Sequence, residues 1–328
     1  MSADAPLVVT GATGMVGHAI ALALAARGDR VRAIVRDPAR ARLLLPEAIE
    51  LVAGDVTRPE TLAPALAGAR GLFHAAGMPE QWQADPLVFD RVNRQGTANV
   101  LDAAIAAGVP RAVYTSTMDV FAAPRGGKLD ESRIDPDPKP TAYERSKQDA
   151  EHEAARREAQ LQIVYVNPSA VYGPGPVHVG TNSFFIKLLT GQLPALPPGG
   201  MSLCFSEAVG QAHLAAFDRG EPGRRYLLAD VHVSNRELAE AIARQVPIKV
   251  PKVAPEALMR GLAAASEPLA RLFGFTPIVA AGQLQFLLWD AHVDASRARA
   301  ELGYAPVSLE EGVARTVACL REQGLVPS

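Results

Sequence analysis

Two groups of residues in this 328-residue chain could do chemistry. Tyr143-Glu144-Arg145-Ser146-Lys147 puts a phenol and an ammonium four residues apart, a spacing that on a helix sets both on one face. A phenol of pKa about 10 is a poor base near neutrality, and a cation one helical turn away favours its ionised form. The pair could therefore pass a proton to or from an oxygen. The second group, Val8-Val9-Thr10-Gly11-Ala12-Thr13-Gly14-Met15-Val16-Gly17, reads as a buried strand that turns through three glycines into a helix. Gly11 suits the tight turn, Gly14 lets the backbone approach a pyrophosphate, and Gly17 lets the helix pack close to the strand. The peptide N–H groups around Thr13, Met15 and Val16, at the positive end of the helix dipole, would hold two phosphates.

Such residues need a scaffold, and the surrounding chain supplies a βαβ pattern. Ile20 to Ala26 is an Ala/Leu-rich helical run, Gly28 a C-terminal stop, and Val31 to Val35 the next strand. Ile49 to Val56, Gly71 to Ala75, Ala112 to Ser116 and Leu161 to Val166 read as strands three to six, with a helix from Arg91 to Ala107. This alternation predicts an α/β fold, a Rossmann-type doubly wound parallel sheet. Residues 1–173 would form the dinucleotide-binding domain and 174–328 a smaller interleaved substrate lobe, with about 206–232 returning to the sheet. Gly- and Pro-rich Ala123 to Pro140 reads as a long surface loop; Phe184 to Thr190, Gln211 to Asp218, Asn235 to Gln245 and Ser308 to Glu322 read as helices.

The Gly-x-x-Gly-x-x-Gly spacing, the Tyr-x-x-x-Lys pair and the turn Asn167-Pro168-Ser169-Ala170-Val171-Tyr172-Gly173-Pro174 together resemble the extended short-chain dehydrogenases/reductases, the NAD-dependent epimerase/dehydratase family. The likeness spans nearly the whole chain, with specific motifs up to Gly175. Asn167 before that Pro is closer to reductases of the dihydroflavonol 4-reductase and 3β-hydroxysteroid dehydrogenase type than to sugar-nucleotide epimerases, which usually carry Arg there. The resemblance implies that Thr117, with Ser116 the neighbouring candidate, holds a carbonyl oxygen against Tyr143, while Lys147 also binds the nicotinamide ribose. It further implies that Asp55 and Val56 flank the adenine, that Ala75, Ala76 and Gly77 border the cofactor behind a structural His74, that Asn167 and Pro168 line the cofactor, and that Asn93, in the helix behind the active site, anchors that helix rather than touching substrate. The hydroxyls of Ser116 and Thr117 could instead only cap a strand end, and Asp55 could cap a helix starting near Pro59.

Cofactor choice is read at the end of strand two, where Arg36 falls in register with the reductases and Arg40 and Arg42 stand behind it. A guanidinium suits a 2′-phosphate, so NADP(H) is expected over NAD(H); Asp37, one residue on, would invert that preference. The arginines that grip nucleotide-sugar diphosphates in the family are absent at Met201-Ser202-Leu203 and at Leu288-Trp289-Asp290-Ala291-His292. A pocket wall of Met78, Trp82, Met118, Phe121, Tyr172, Phe184 and Trp289 would suit a hydrophobic ketone, aldehyde or secondary alcohol, though each is equally at home in a core.

An apolar content of 48% can bury a large core, and a net charge of -2 argues against a nucleic-acid partner. No run of about 18 apolar residues and no basic-apolar leader precedes the first strand, so no membrane partner and a cytoplasmic location are expected. Cys204 and Cys319 and seven scattered His make no disulfide or zinc pattern, so no metal is expected. The Ala-rich helices from about Arg91 and Tyr143 could pack a homodimer or simply cover the sheet. Three functions fit: a carbonyl reductase or alcohol dehydrogenase acting on a small-molecule substrate, an NAD-retaining sugar epimerase or dehydratase, and a non-catalytic NADP-binding sensor or scaffold.

Overall fold

The computed structural model describes residues 4–79, 82–176, 180–275, 277 and 280–327. In chain order its strands are β1 (Leu7–Thr10), β2 (Val31–Val35), β3 (Glu50–Ala53), β4 (Gly71–His74), β5 (Arg111–Thr115), β6 (Lys128–Leu129), β7 (Gln162–Pro168), β8 (Ala170–Tyr172), β9 (Gly200–Phe205), β10 (Arg225–Leu228), β11 (Val231–Ser234) and β12 (His292–Val293). Seven of them form one parallel sheet in the order β10-β7-β5-β4-β1-β2-β3. Strands such as Leu7–Thr10 and Gly71–His74 are buried at every residue, which is why they read as continuous apolar runs rather than alternating ones. The order reverses between β1 and β4, so a crevice opens at their carboxyl ends, where the Gly11 turn meets Ala75 and Ala76.

The two halves of the chain interleave. Helix Ser206–Arg219 packs on the first helix, Met15–Arg27, and β10 pairs in parallel with β7, so the large sheet is completed by residues far beyond the glycine turn. The chain then leaves again through β11, which joins β9 and β8 in a three-stranded sheet. A second core of Phe185, Leu203, Phe205, Leu238 and Val313 fills that lobe.

Three elements depart from expectation. The helix read from Arg91 begins as a π-helical segment, Asp90–Gln95, and becomes α-helical only over Gly96–Ala106. Helices Glu256–Phe273 and Ala281–Trp289 are absent from the sequence reading: the first contains Pro268, an ordinary helix stop, and the second is apolar on too many sides to show a clean period. The small sheet was likewise not foreseen. Ala104, Ala150 and Ala154 turn onto the large sheet, while the outward faces of their helices carry the pairs Arg94–Asp90 at 2.5 Å, Arg157–Asp102 at 2.6 Å and Arg157–Glu153 at 2.9 Å. No helix among the described residues is long and apolar enough to cross a membrane.

Candidate active site

The glycine turn is shaped by what cannot be there. Gly11 has φ +72°, and a Cβ on it would stand 2.6 Å from the Ala75 carbonyl oxygen. A Cβ on Gly17 would stand 2.2 Å from the Gly11 oxygen. The helix therefore starts against the strand end, at Gly14, with no acidic residue in its first turn to repel an anion. Thr13, Met15 and Val16 are half-buried around that start. Across the crevice, Thr10 Oγ accepts the N–H groups of Ala75 and Ala76 at 3.2 and 3.1 Å, so its own proton goes to His74 Nδ1 at 2.7 Å. The Nε2–H of His74 then donates to Thr97 Oγ at 3.0 Å. Burial, with the nearby Lys147 charge, pushes His74 down to about 3, so the ring is a neutral strut that holds the Ala75–Gly77 backbone.

A capping box starts the helix that carries Tyr143 and Lys147: Thr141 Oγ accepts from the Glu144 N–H, and the Glu144 carboxylate accepts from the Thr141 N–H, both at 3.1 Å. Tyr143 and Lys147 thus sit on the first two turns of Ala142–Ala155. Asn93 ties this helix to the Met78 loop, its Nδ2 donating to Ser146 Oγ at 2.9 Å and its Oδ1 accepting from the Met78 N–H at 2.7 Å. Lys147 Nζ donates to the Thr115 carbonyl at 2.9 Å and to the Tyr114 hydroxyl at 3.3 Å, and burial brings it down to about 8. The Tyr143 phenol is pushed up, first by burial and then by Asp119, against the pull of a Thr117 hydrogen bond. Lys147, expected to favour the ionised phenol, is turned instead to the end of β5, and the Asp119 carboxyl is the group that acts on the phenol.

Asp119 went unrecognised in the sequence, although it stands two residues after Thr117. It is buried, accepts the Thr117 hydroxyl at 3.0 Å, and has no partner for Oδ1. Burial, aided by Glu144, raises it from 3.8 to about 7. The folded state binds this proton more tightly than the unfolded chain, so the stability it confers is present below about pH 4 and is lost as pH rises to about 7. Asp119→Asn is accordingly expected to melt a few degrees higher than the parent at pH 8 and to lose that advantage at pH 4, which paired thermal melts would check; an equal gain at both values would mean that Asp119 is already ionised in the fold.

Asn167, at the end of β7, donates to Glu151 Oε1 at 2.9 Å and to the Thr117 carbonyl at 3.2 Å, while Glu151 also pairs with Arg225 at 2.7 Å. The buried Asn167 Oδ1 and Ser116 Oγ have no partner, so the carboxyl edge of the sheet keeps spare hydrogen-bonding capacity beside a glycine turn whose shape fits a dinucleotide. Pro168 ends β7, paired with Leu228. Asp55 does not cap the turn at Pro59; its Oδ1 accepts the Thr57 N–H at 2.9 Å, and Val56 packs on Gly96. Arg36 is exposed at the end of β2, and Asp37 spends an oxygen on the Arg40 N–H at 3.0 Å. Arg42 is no helper: it donates to the Pro46 and Ile49 carbonyls at 2.5 and 2.8 Å.

The seven proposed wall residues are not brought together. Met118, Phe121 and Trp289 share one apolar cluster, Tyr172 and Phe184 belong to the core of the small lobe, and Met78 and Trp82 lie beyond β4. Trp289 is the one that lines the cavity of about 330 Å³ beside the helix that carries Tyr143 and Lys147, with Ala123, Lys139, Glu144, Arg260 and Phe286. Lys139 was read as part of an exposed loop but is buried, donating to the Phe121 carbonyl at 2.6 Å.

A family model described as the NAD dependent epimerase/dehydratase family matches residues 7–229. The chain is 32% identical over 327 residues to sterol demethylase protein B of Methylococcus capsulatus, covering 97% of this chain and 99% of that one. It is 33% identical over 327 residues to a putative dihydroflavonol 4-reductase of Synechocystis, covering 97% and 95%. The crystal structure of gox2253 superposes with a TM-score of 0.84 at 32% identity over 99% of this chain and 100% of that chain. On the strength of the matched residues, which run from the glycine turn through the Tyr-Lys helix to the returning strand β10, this chain belongs to the NAD-dependent epimerase/dehydratase family and is an NAD(P)-dependent oxidoreductase of the extended short-chain type.

Proposed function

We propose that the protein is an NADP(H)-dependent carbonyl reductase, or alcohol dehydrogenase in the reverse direction, acting on a hydrophobic ketone, aldehyde or secondary alcohol. The observation that carries this reading is the placing of the Tyr143 phenol, on the first turn of Ala142–Ala155, in hydrogen bond with Thr117 just after β5. When bound, the nicotinamide supplies the hydride. Tyr143 gives its proton to the carbonyl oxygen as negative charge develops there, and the Thr117 hydroxyl, turning its one proton from Asp119 Oδ2 to the substrate, holds that oxygen in place. Lys147 has two of its three N–H donors committed to the end of β5 and keeps one for a ribose hydroxyl. The names of the two relatives, which refer to a sterol and a dihydroflavonol, support a hydrophobic substrate, and Trp289 and Phe286 supply an apolar part of a cavity that also holds Arg125, Asp135, Lys139, Glu144 and Arg260.

The decisive assay is NADPH oxidation with a panel of apolar ketones and aldehydes. Turnover supports the proposal. Protein that purifies with bound NAD and converts a nucleotide sugar without net oxidation would instead make it an epimerase or dehydratase. Arg36, exposed and free of the capping role that occupies Asp37, supports NADP(H). Arg36→Ala is expected to weaken NADPH binding by about 10- to 100-fold and NADH binding hardly at all, by calorimetric titration; equal losses for both would remove the assignment. We also propose a homodimer through the helical stretch from Asp90 to Ala106 and the Ala142–Ala155 helix, which would have to accommodate the ion pairs Arg94–Asp90 and Arg157–Asp102 beside them; sedimentation showing only monomer would exclude it.

A further inference from the structure

The turn after Trp289 gathers three side chains that lie far apart or in separate elements of the sequence. His232 comes from β11, Asp290 from the residue after helix Ala281–Trp289, and His292 from β12. One ligand atom from each lies within 4.8 Å of the others. His232 Nε2 faces Asp290 Oδ1 at 3.1 Å, and the two imidazoles stack with centroids 3.6 Å apart.

The hydrogen bonds around Ser202 decide what stands between His232 and Asp290. Ser202 Oγ lies 3.1 Å from the Ala291 carbonyl, which can only accept, so the hydroxyl proton goes there. The same oxygen accepts the Val293 N–H at 3.1 Å and lies 3.2 Å from His232 Nδ1. Nδ1 must therefore carry the ring proton and donate to Ser202. In a neutral imidazole that leaves Nε2 bare, its lone pair aimed at a carboxylate oxygen. Two acceptors in contact call for a cation between them, a proton on Nε2 or a metal ion. Fixing a histidine through its far nitrogen is the usual outer support of a metal-binding imidazole, and zinc–ligand bonds of about 2.0–2.2 Å put two donors roughly 3 Å apart on one ion. The His292 ring is exposed, and by leaving its stack on His232 it would bring a nitrogen toward the same point.

We propose that His232, Asp290 and His292 bind a divalent transition cation of the zinc class. Two nitrogens and one carboxylate oxygen suit that class and leave a position for water. The ion would clip β11, β12 and the end of the helix that carries Trp289, whose indole donates to the Ala123 carbonyl at 2.8 Å, and so would stiffen one wall of the cavity beside the catalytic helix.

The test uses tag-free, full-length protein stripped with chelator. Cobalt(II) is titrated in while its visible absorption is followed, and zinc is titrated calorimetrically. The expected result is one ion per chain with a micromolar dissociation constant, a higher melting temperature with zinc, and at least about tenfold weaker binding in both His292→Gln and Asp290→Asn. Asn keeps the left-handed backbone that Asp290 adopts at φ 53°. Should that variant nonetheless melt early without metal, the exposed His292→Gln decides alone. Absence of binding, or binding that His292→Gln leaves unchanged, overturns the proposal. So does a His232 ring that NMR shows as an imidazolium at neutral pH and indifferent to zinc, since the contact with Asp290 is then a plain ion pair.

Discussion

Tyr143→Phe is expected to lower turnover by about 10²- to 10⁴-fold while the dissociation constant for NADPH stays within about twofold. The substitution removes one hydroxyl and keeps the ring, which meets Phe89 edge-on at 6.2 Å, so the helix and its capping box have no reason to move. What disappears is the only proton donor that the Tyr-x-x-x-Lys pair brings to the substrate oxygen. Steady-state rates with the best ketone found in the panel, alongside a fluorescence titration with NADPH, would measure both quantities. A rate within about threefold of the parent would move the proton to another group, and buried, protonatable Asp119 would be the first to examine.

The second large effect is expected at Gly11. An alanine there must adopt φ near +72° and place a methyl 2.6 to 2.7 Å from backbone atoms of Ala75 and Ala76. The left-handed conformation alone costs about 1–2 kcal/mol, and the overlap is with main chain, which cannot swing aside as a side chain does. The strand end and the Ala75–Gly77 loop have to part, which opens the crevice where the dinucleotide would lie. We expect NADPH binding weaker by at least about 100-fold, together with a lower melting temperature. Gly14→Ala is the control: Gly14 has φ -98°, and its added Cβ would meet only the Gly11 oxygen at 3.3 Å. It should melt near the parent, so that any loss of NADPH binding in it comes from a methyl crowding the pyrophosphate, whereas an equally lowered melting temperature in both would mean that the turn tolerates no side chain at all rather than that Gly11 is special.

Local patterns carried much of the site into view. The glycine turn, the Tyr-Lys helix and the hydroxyls after β5 are each short and contiguous, and each is governed by φ, helical spacing or the direction of a strand. Asp119 was passed over because nothing in its neighbours along the chain announces burial; its raised affinity for a proton comes from the walls around it, with Glu144 contributing from another element. Arg42 was misread for the converse reason. Its charge suggested a phosphate, while the loop that folds back over it had three carbonyls to satisfy.

The sequence by itself determined the α/β class, the glycine turn between β1 and its helix, and the placing of Tyr143 and Lys147 one turn apart on a single helix, because these depend on spacings of a few residues and on backbone freedom at single positions. Tertiary structure decided the rest. It turned Lys147 toward Thr115 and Tyr114 rather than toward Tyr143, sent Tyr172 into the core of the small lobe, and set His232 beside Asp290 and His292 across some sixty positions of chain. Each of those outcomes depends on which surfaces meet when two interleaved lobes bury their apolar faces together, and desolvation and long-range contact leave no periodic trace along the chain.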